Sequence, residues 1–200
     1  MEESKRRSFD LLTLGQVLLR LSPPDNDRLS RGDTFVKQVG GAELNVAVGA
    51  SLLGLRTGVI SKLPSHDIGS FMKGKIRSFG VSDDFFMYDD SPSARVGVYF
   101  YENGAYPRKP KVIYDRLNSS FFSLNIDEIP EEVYTASKCF HTTGITLALS
   151  PQIRETAIEM IKRFKEAGTL VSFDVNFRGN LWSGDEAREC ILKILPYVDI

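Results

Sequence analysis

Gly40-Gly41-Ala42-Glu43-Leu44-Asn45-Val46-Ala47-Val48 is a glycine pair followed at once by an apolar helical pattern. Two glycines allow a positive φ or a close approach of the backbone to a ligand, and the first turn of a helix presents unpaired N–H groups there. The small and apolar residues from 42 to 53 predict a helix buried on most sides, which Gly54 is expected to end. The stretch is typical of a small-molecule site between a strand and a helix.

Asn45 is the polar side chain of this helix that we single out. A primary amide near a buried helix start needs hydrogen-bond partners, and a sugar hydroxyl can both donate and accept. A tight Gly-Gly turn with the Asn45 amide bonded to the nearby backbone would give the same pattern. Both interpretations stay open at this point.

Short β-rich runs alternate with helical runs around this stretch. Five runs are predicted to be strands: residues 9–15, 57–63, 85–88, 137–143 and 169–175. Strands separated by helices predict an α/β fold with a doubly wound, mainly parallel sheet, whose ligands bind beyond the carboxyl ends of the strands.

Two further helices are predicted from their start signals. Asp67 is expected to cap a helix that ends at Gly80, since apolar residues recur at helical spacing between them. Ser150-Pro151 is the typical pair at the cap and first position of a helix, here one that reaches Gly168.

Two segments interrupt this alternation. They contain alternating, half-exposed β patterns and the turn-rich loop of residues 102–107. We therefore predict an α/β core made of residues 1–15, 40–90 and 121–200, and a small β-sheet lid made of residues 16–39 and 91–120. A lid inserted in pieces favours a ligand that is shielded from water, whereas an ordinary β excursion is the alternative.

Composition limits the classes of function. The 25 Lys and Arg residues are balanced by 26 Asp and Glu residues, so no basic face for nucleic acid is expected. No apolar run reaches membrane-spanning length and no signal peptide is recognised, so we expect a cytoplasmic protein without membrane partners. Two isolated cysteines and two distant histidines argue against a zinc site or a structural disulfide.

Taken together, these motifs resemble the ribokinase-like (PfkB) carbohydrate kinase family. The resemblance rests on the glycine pair through Asn45, Ala47 and Gly54, on the first strand into Gly15, and on Asp174-Val-Asn-Phe-Arg178 with Leu181-Trp182. Residues 18–24, 112–120 and 174–178 are most similar to the 2-keto-3-deoxygluconate kinase branch. Gln16 and Pro64 depart from the family pattern, which commonly has an acid and a glycine there.

The resemblance implies roles for seven residues in sugar binding. Gly40, Gly41 and Asn45 would contact the sugar hydroxyls, and Tyr99 and Tyr114 would reach the substrate from the lid. Arg116 and Arg178 would hold a carboxylate, for which a planar guanidinium offers paired donors. Surface salt bridges for the arginines and a lid-core role for the tyrosines are the alternatives.

Asp174 and Asn176 lie at the end of a predicted strand. The resemblance assigns them to the phosphate and magnesium side of the site, acting through water. A strand-end turn, in which both side chains bond the local backbone, is the alternative.

The resemblance further implies ATP and Mg²⁺ as cofactors, a sugar or sugar acid as substrate, and a homodimer formed through the lid. The catalytic aspartate, in a Gly-Ala-Gly-Asp turn, is expected beyond Ile200, so we expect the 200-residue chain alone to be unstable and inactive. A kinase for fructose, ribose or a nucleoside, or a non-catalytic sugar-binding fragment, are the alternative functions.

Overall fold

The computed structural model describes residues 7–200, in which strands and helices alternate for most of the length. The strands are β1 (Phe9–Leu14), β2 (Leu18–Ser22), β3 (Val36–Gly40), β4 (Thr57–Pro64), β5 (Val81–Ser82), β6 (Phe86–Asp89), β7 (Gly97–Glu102), β8 (Lys111–Asp115), β9 (Ser137–Thr143) and β10 (Leu170–Asp174). The helices are α1 (Ala42–Leu52), α2 (Asp67–Arg77), α3 (Val133–Ala136), α4 (Gly144–Ala148), α5 (Pro151–Glu166) and α6 (Gly184–Ile194).

A parallel sheet forms the centre of the molecule. Its strands lie in the order β10-β9-β1-β4-β5, and β6 pairs with the later part of β4. Leu12 of β1 lies beside Gly58 of β4 on one side and Phe140 of β9 on the other. Because every pairing is parallel, β1, β4, β9 and β10 all end at the same edge of this sheet.

Helices cover both faces of the parallel sheet. Side chains alternate between the faces of a strand, so neighbouring Val59 and Ile60 enter different clusters. Ile60 packs in a cluster that includes Phe164 of α5, and Val59 in one that includes Leu44 of α1 and residues of α2. This is the predicted doubly wound arrangement.

A separate four-stranded sheet, here called the lid sheet, has the order β3-β2-β7-β8. Strands β2 and β7 are parallel, and the two outer pairings are antiparallel. After β1 the chain passes into the lid sheet, where it forms β2 and β3, and it returns to the parallel-sheet region at the glycine pair. After β6 it enters the lid sheet again, forms β7 and β8, and leaves after Asp115.

Two local predictions were wrong, and one short strand was not predicted. Helix α1 is buried on one side only, with Leu44 and Ala47 inside and Asn45 exposed, since its opposite side does not face the sheet. Asp67 is the first residue of α2 and makes no capping bond, because His66 has the extended backbone of the cap position. The two-residue strand β5 was missed, since so short a strand has no periodicity of its own.

The start of α5 was predicted correctly. Ser150 accepts a hydrogen bond from the backbone N–H of Ile153 at 3.2 Å, and Pro151 is the first helical residue. Among residues 7–200, no helix is both long enough and apolar enough to span a bilayer.

Candidate active site

A cavity of about 770 Å³ lies where the carboxyl ends of β1, β9 and β10 meet the lid sheet. It is open to solvent on one side, and residues from both sheets contribute to its wall. Its wall consists of Gln16, Leu18, Arg20, Gly41, Ala42, Glu43, Asn45, Val46, Tyr99, Tyr101, Val112, Tyr114, Asp115, Arg116, Leu117, Thr143, Ile145, Asp174, Asn176, Arg178, Asn180 and Leu181. The position agrees with the rule that ligands of parallel α/β sheets bind beyond the strand ends.

The glycine pair brings the backbone of α1 close to the end of β1. Gly41 has φ 152°, and a Cβ there would lie 2.7 Å from the carbonyl oxygen of Gln16. Asn45, one turn later, exposes its amide to the cavity. A side chain larger than hydrogen at position 41 would therefore push α1 away from β1.

Gly40 does not line the cavity itself. It is the buried last residue of β3, and a Cβ there would lie 2.5 Å from the hydroxyl oxygen of Tyr99. Its small size leaves room for Tyr99, which does line the cavity. The structure thus brings eight of the nine predicted site residues to the wall and places Gly40 behind it.

Glu43 is a buried site residue that the sequence analysis missed. Its side chain is 2% exposed, and its Oε1 accepts hydrogen bonds from the hydroxyls of Thr143 at 2.6 Å and Thr146 at 2.7 Å. Its Oε2 lies against Gly15, where a Cβ would be 2.2 Å away. The carboxyl group therefore joins α1 to the start of α4 across the end of β1.

A sequence signal for Glu43 was present. A carboxyl group in the first turn of an otherwise apolar helix must be buried with partners or be exposed. Asn45 was singled out as the buried polar group of this helix, but the structure reverses the two positions: Glu43 is buried and Asn45 is exposed. The sequence could not distinguish them, because they lie two residues apart and the face that meets the sheet was unknown.

Burial dominates the electrostatics of Glu43 and Arg116. Removal from water raises the pKa of Glu43, against the opposing effects of the Thr143 and Thr146 hydroxyls and of the Arg116 charge. Burial also lowers the pKa of the Arg116 guanidinium, and the Glu43 charge opposes this. An arginine stays protonated under such a shift at neutral pH, so the wall keeps a positive charge beside Glu43.

The lid sheet contributes an aromatic pair to the wall. Tyr99 of β7 and Tyr114 of β8 are cross-strand neighbours with ring centroids 5.8 Å apart. The guanidinium of Arg116 lies 5.6 Å from the centre of the Tyr114 ring. Tyr114 is 53% exposed and Tyr99 is half-buried, so the pair offers one open and one sheltered ring to the cavity.

The end of β10 contributes a polar turn. The Asp174 carboxylate accepts a hydrogen bond from the backbone N–H of Asn176 at 2.9 Å, and Asn176 has φ 34°. Of the strand-end turn weighed as an alternative, the structure shows the bond of the Asp174 side chain to the local backbone, and both side chains line the cavity. Arg178 follows, exposed, and Nη1 donates to the carbonyl of Phe177 at 3.1 Å.

Comparisons with known proteins find relatives that match nearly the whole chain. The Haloferax volcanii protein named 2-dehydro-3-deoxygalactonokinase is 38% identical over 191 residues, which are 96% of this chain and 59% of that protein. The crystal structure of 2-dehydro-3-deoxygluconokinase from Thermotoga maritima superposes with a TM-score of 0.90 at 35% identity, covering 96% of this chain and 58% of that one.

A third relative was solved with a nucleotide. It is an uncharacterized sugar kinase from Pyrococcus horikoshii in complex with ATP, with a TM-score of 0.80 at 26% identity over 94% of this chain and 61% of that one. The chain thus spans less than two thirds of the length of each of these three relatives.

The model of the pfkB family of carbohydrate kinases matches residues 8–200. The resemblance and the ribokinase-like fold expected from the sequence are confirmed by this match and by the structural neighbours. Since the match covers nearly the whole chain, the protein belongs to the pfkB family of carbohydrate kinases.

Proposed function

We propose that this chain supplies the sugar site and lid of a kinase that transfers the γ-phosphate of ATP to a hydroxyl of a 2-keto-3-deoxy sugar acid. The observation that carries the proposal is the presence of two arginines from different sheets in one cavity wall. Arg116 follows β8 of the lid sheet, and Arg178 follows β10 of the parallel sheet. Guanidinium pairs of this kind suit a carboxylate, which a neutral sugar lacks.

The other charged groups of the wall have partners. Asp115 is ion-paired with Arg95 at 2.8 Å, and Arg20 donates to the hydroxyl of Ser22 at 2.9 Å and lies 4.4 Å from the centre of the Tyr101 ring. Glu43 is engaged by two threonines. Of the three arginines in the wall, Arg116 and Arg178 follow strands of the two different sheets, and we assign these two to the anionic substrate.

The remaining predicted residues suit the rest of such a substrate. The backbone at Gly41 and the exposed amide of Asn45 lie at the start of α1, where hydroxyl groups of a sugar find donors and an acceptor. Tyr99 and Tyr114 close the lid side. The names of the Haloferax and Thermotoga relatives, both kinases of dehydro-deoxy sugar acids, support the same substrate class.

ATP and Mg²⁺ are the proposed cofactors, and Asp174 with Asn176 is the proposed phosphate side. Their oxygens form the hard donor set that Mg²⁺ and its waters prefer, at the strand end of a parallel sheet. Bound there, the nucleotide supplies the phosphoryl group and the metal offsets its charge. The Pyrococcus relative in complex with ATP supports this choice of donor.

The test uses the product of the complete reading frame that encodes this chain. ADP release is measured with ATP and Mg²⁺ on 2-keto-3-deoxygluconate, 2-keto-3-deoxygalactonate, fructose and ribose. We expect turnover of the sugar acids only. Turnover of fructose or ribose would indicate a neutral sugar as substrate and contradict the sugar acid. Absence of turnover on all four sugars, with sugar binding retained, would favour a non-catalytic sugar-binding role.

Two variants test the carboxylate role directly. Replacing Arg116 or Arg178 by Ala removes a charge-assisted hydrogen bond of about 1.5–3 kcal/mol, which corresponds to a roughly 10- to 150-fold rise in KM for the acid. Arg188→Ala is the matched control, since Arg188 is an exposed arginine of α6 outside the cavity wall. An Arg116 variant with unchanged KM would contradict the assignment.

A further inference from the structure

The carboxyl group of Glu43 connects two parts of the cavity that carry different proposed roles. Glu43 extends from the first turn of α1, the helix that presents Asn45 on the proposed sugar side. Its Oε1 accepts hydrogen bonds from Thr143 at the end of β9 and from Thr146 in α4. Within residues 7–200, no other hydrogen bond joins α1 to β9, α4 or β10. Glu43 is therefore the polar link between the sugar side and the ends of these strands.

From Thr143 the connection continues to the proposed phosphate side. Thr143 is paired with Asp174 in the register of β9 and β10. The next residue, Gly144, packs so closely that a Cβ there would lie 2.1 Å from the carbonyl oxygen of Val175. Val175 is the residue between Asp174 and Asn176, so a shift of the start of α4 would move that turn with it.

The hydrogen bonds and the packing fix the direction of this link. The Thr143 hydroxyl accepts from the backbone N–H of Ile145 at 3.1 Å, and its one proton goes to Glu43. Two hydroxyl protons thus converge on a single carboxyl oxygen. The other oxygen, Oε2, fills the space over Gly15. Because this carboxyl group is buried with contacts on both sides, it holds α1 and the start of α4 at a fixed separation.

We infer that Glu43 is a positioning residue that sets the distance between a sugar bound at α1 and the phosphate side at Asp174 and Asn176, and so aligns the reacting hydroxyl with the phosphoryl group. This role rests on the proposed function. A misplacement of about 1 Å can cost on the order of 100-fold in rate. The contacts to the sugar and those to the phosphates each lie within their own segment. A wrong separation should therefore lower kcat without a matching loss of affinity.

Thr146→Val is the informative variant. Thr146 is fully buried and does not line the cavity, so the variant removes no contact with a ligand. Valine is also β-branched, but it lacks the hydroxyl that donates to Glu43. For 2-keto-3-deoxygluconate and the full-length product, we expect kcat to fall roughly five- to tenfold, as for the loss of one hydrogen bond. The dissociation constants of the sugar acid and of ATP should change less than about twofold.

Calorimetry separates positioning from folding in this experiment. The titration gives the dissociation constant and also the number of sites that bind the sugar acid. Dividing the rate of ADP release by that number gives kcat per competent site, so unfolded protein does not count as lost activity.

Thr156→Val is the matched control. Thr156 is a buried threonine of α5 outside the cavity wall, and its hydroxyl donates to the Leu124 carbonyl at 3.4 Å. This variant loses the same kind of bond and is expected to leave kcat per competent site unchanged. Equal losses of kcat in the two variants would overturn the inference, because they would reflect a general effect of removing a buried hydroxyl.

Variants of Glu43 test the link from its other end. Glu43→Met keeps the length of the side chain without an acceptor, so we expect a loss of kcat on the order of 100-fold. Glu43→Gln keeps an amide oxygen for the two hydroxyls and should be at least tenfold faster than Glu43→Met. A glutamine variant as slow as the methionine variant would contradict the role of these hydrogen bonds.

A double variant tests whether Thr146 acts through Glu43. In the Glu43→Met background, Thr146→Val is expected to cause less than a twofold further change in kcat, because the acceptor is gone. A full additional loss would overturn the inference. If the wild-type protein transfers no phosphate to the sugar acid, the proposed function fails. If it does and Thr146→Val keeps the wild-type kcat, the positioning role alone fails, so the two failures are distinguished.

Discussion

The parallel sheet and the lid sheet differ in how deeply their strands are buried. All eight residues of β4 are buried, whereas all five residues of β8 are exposed. The parallel sheet is covered by helices on both faces, and the strands of the lid sheet leave much of their surface open. Stability is therefore concentrated in one sheet, while the other contributes side chains to the site at little cost to the core.

The cavity lies between these two regions and depends on both. Glu43 and Asp174 belong to the deeply packed region, while Tyr99, Tyr114 and Arg116 belong to the lid. Gln16 connects them at the passage of the chain. A change in the parallel sheet should therefore act on folding, and a change in the lid should act on ligand affinity.

The largest effect is expected in the core. Phe140 of β9 is fully buried and stacks on Phe164 with ring centroids 4.1 Å apart, so Phe140→Ala should lower the free energy of unfolding by about 3–5 kcal/mol. Ile113 of β8 is 44% exposed, and Ile113→Ala should cost less than about 1 kcal/mol. Urea unfolding measures both, and similar values would contradict the contrast between the sheets.

Glu43 allows the electrostatics at the boundary to be tested. Burial raises the pKa of Glu43 above the ordinary 4.5, so the folded protein keeps a proton that the unfolded chain has lost. Wild type should therefore lose stability, relative to Glu43→Gln, as pH rises from 4.5 toward the raised pKa. The loss amounts to about 1.4 kcal/mol for each unit of difference between the two pKa values.

The Glu43→Gln variant is suited to this comparison because its amide oxygen still accepts from Thr143 and Thr146. Unfolding free energies of both proteins are measured from pH 4 to pH 8. A difference that stays constant over this range would show that Glu43 does not titrate differently in the folded protein.

Gly40→Ala tests the contact between the glycine pair and the lid. The added methyl group would lie 2.5 Å from the hydroxyl oxygen of Tyr99, so Tyr99 must shift within the cavity. Because the clash is with the end of a side chain, we expect a stability loss below about 1 kcal/mol but a roughly tenfold loss of sugar affinity. Calorimetric titration measures the sugar affinity, and thermal unfolding measures the stability. An unchanged sugar affinity would contradict the proposed role of Tyr99.

Gly49→Ala is the matched glycine variant and should have the smallest effect. Gly49 is an exposed helical residue of α1, and no atom lies within 4 Å of the position of an added Cβ. Alanine should raise the free energy of unfolding by about 0.5–1 kcal/mol, since glycine is the poorer helix former. Sugar affinity should not change, and a destabilised variant would indicate that α1 is strained at this point.

Much of the parallel sheet was predictable because its signals are local. The predicted strand 137–143 coincides with β9, and Ser150-Pro151 begins α5 as its pattern indicated. Extended apolar runs and capping residues act over a few neighbouring residues, so the chain adopts the local structure that they favour. The faces of α1 were not predictable, since both faces carry small or apolar residues and only the packed sheet distinguishes them.

By itself, the sequence determined the doubly wound sheet, the separate lid sheet, the family, and the residues Gly41, Asn45, Tyr99, Tyr114, Arg116, Asp174, Asn176 and Arg178 that line the cavity. Only the tertiary structure decided that Glu43 is buried against Thr143 and Thr146, that Gly40 lies behind Tyr99, and that Gln16 holds Arg116. The physical reason is distance along the chain: Gln16 and Arg116 are 100 residues apart, as are Glu43 and Thr143. Local patterns specify strands and turns, whereas such pairings exist only after distant parts of the chain have packed together.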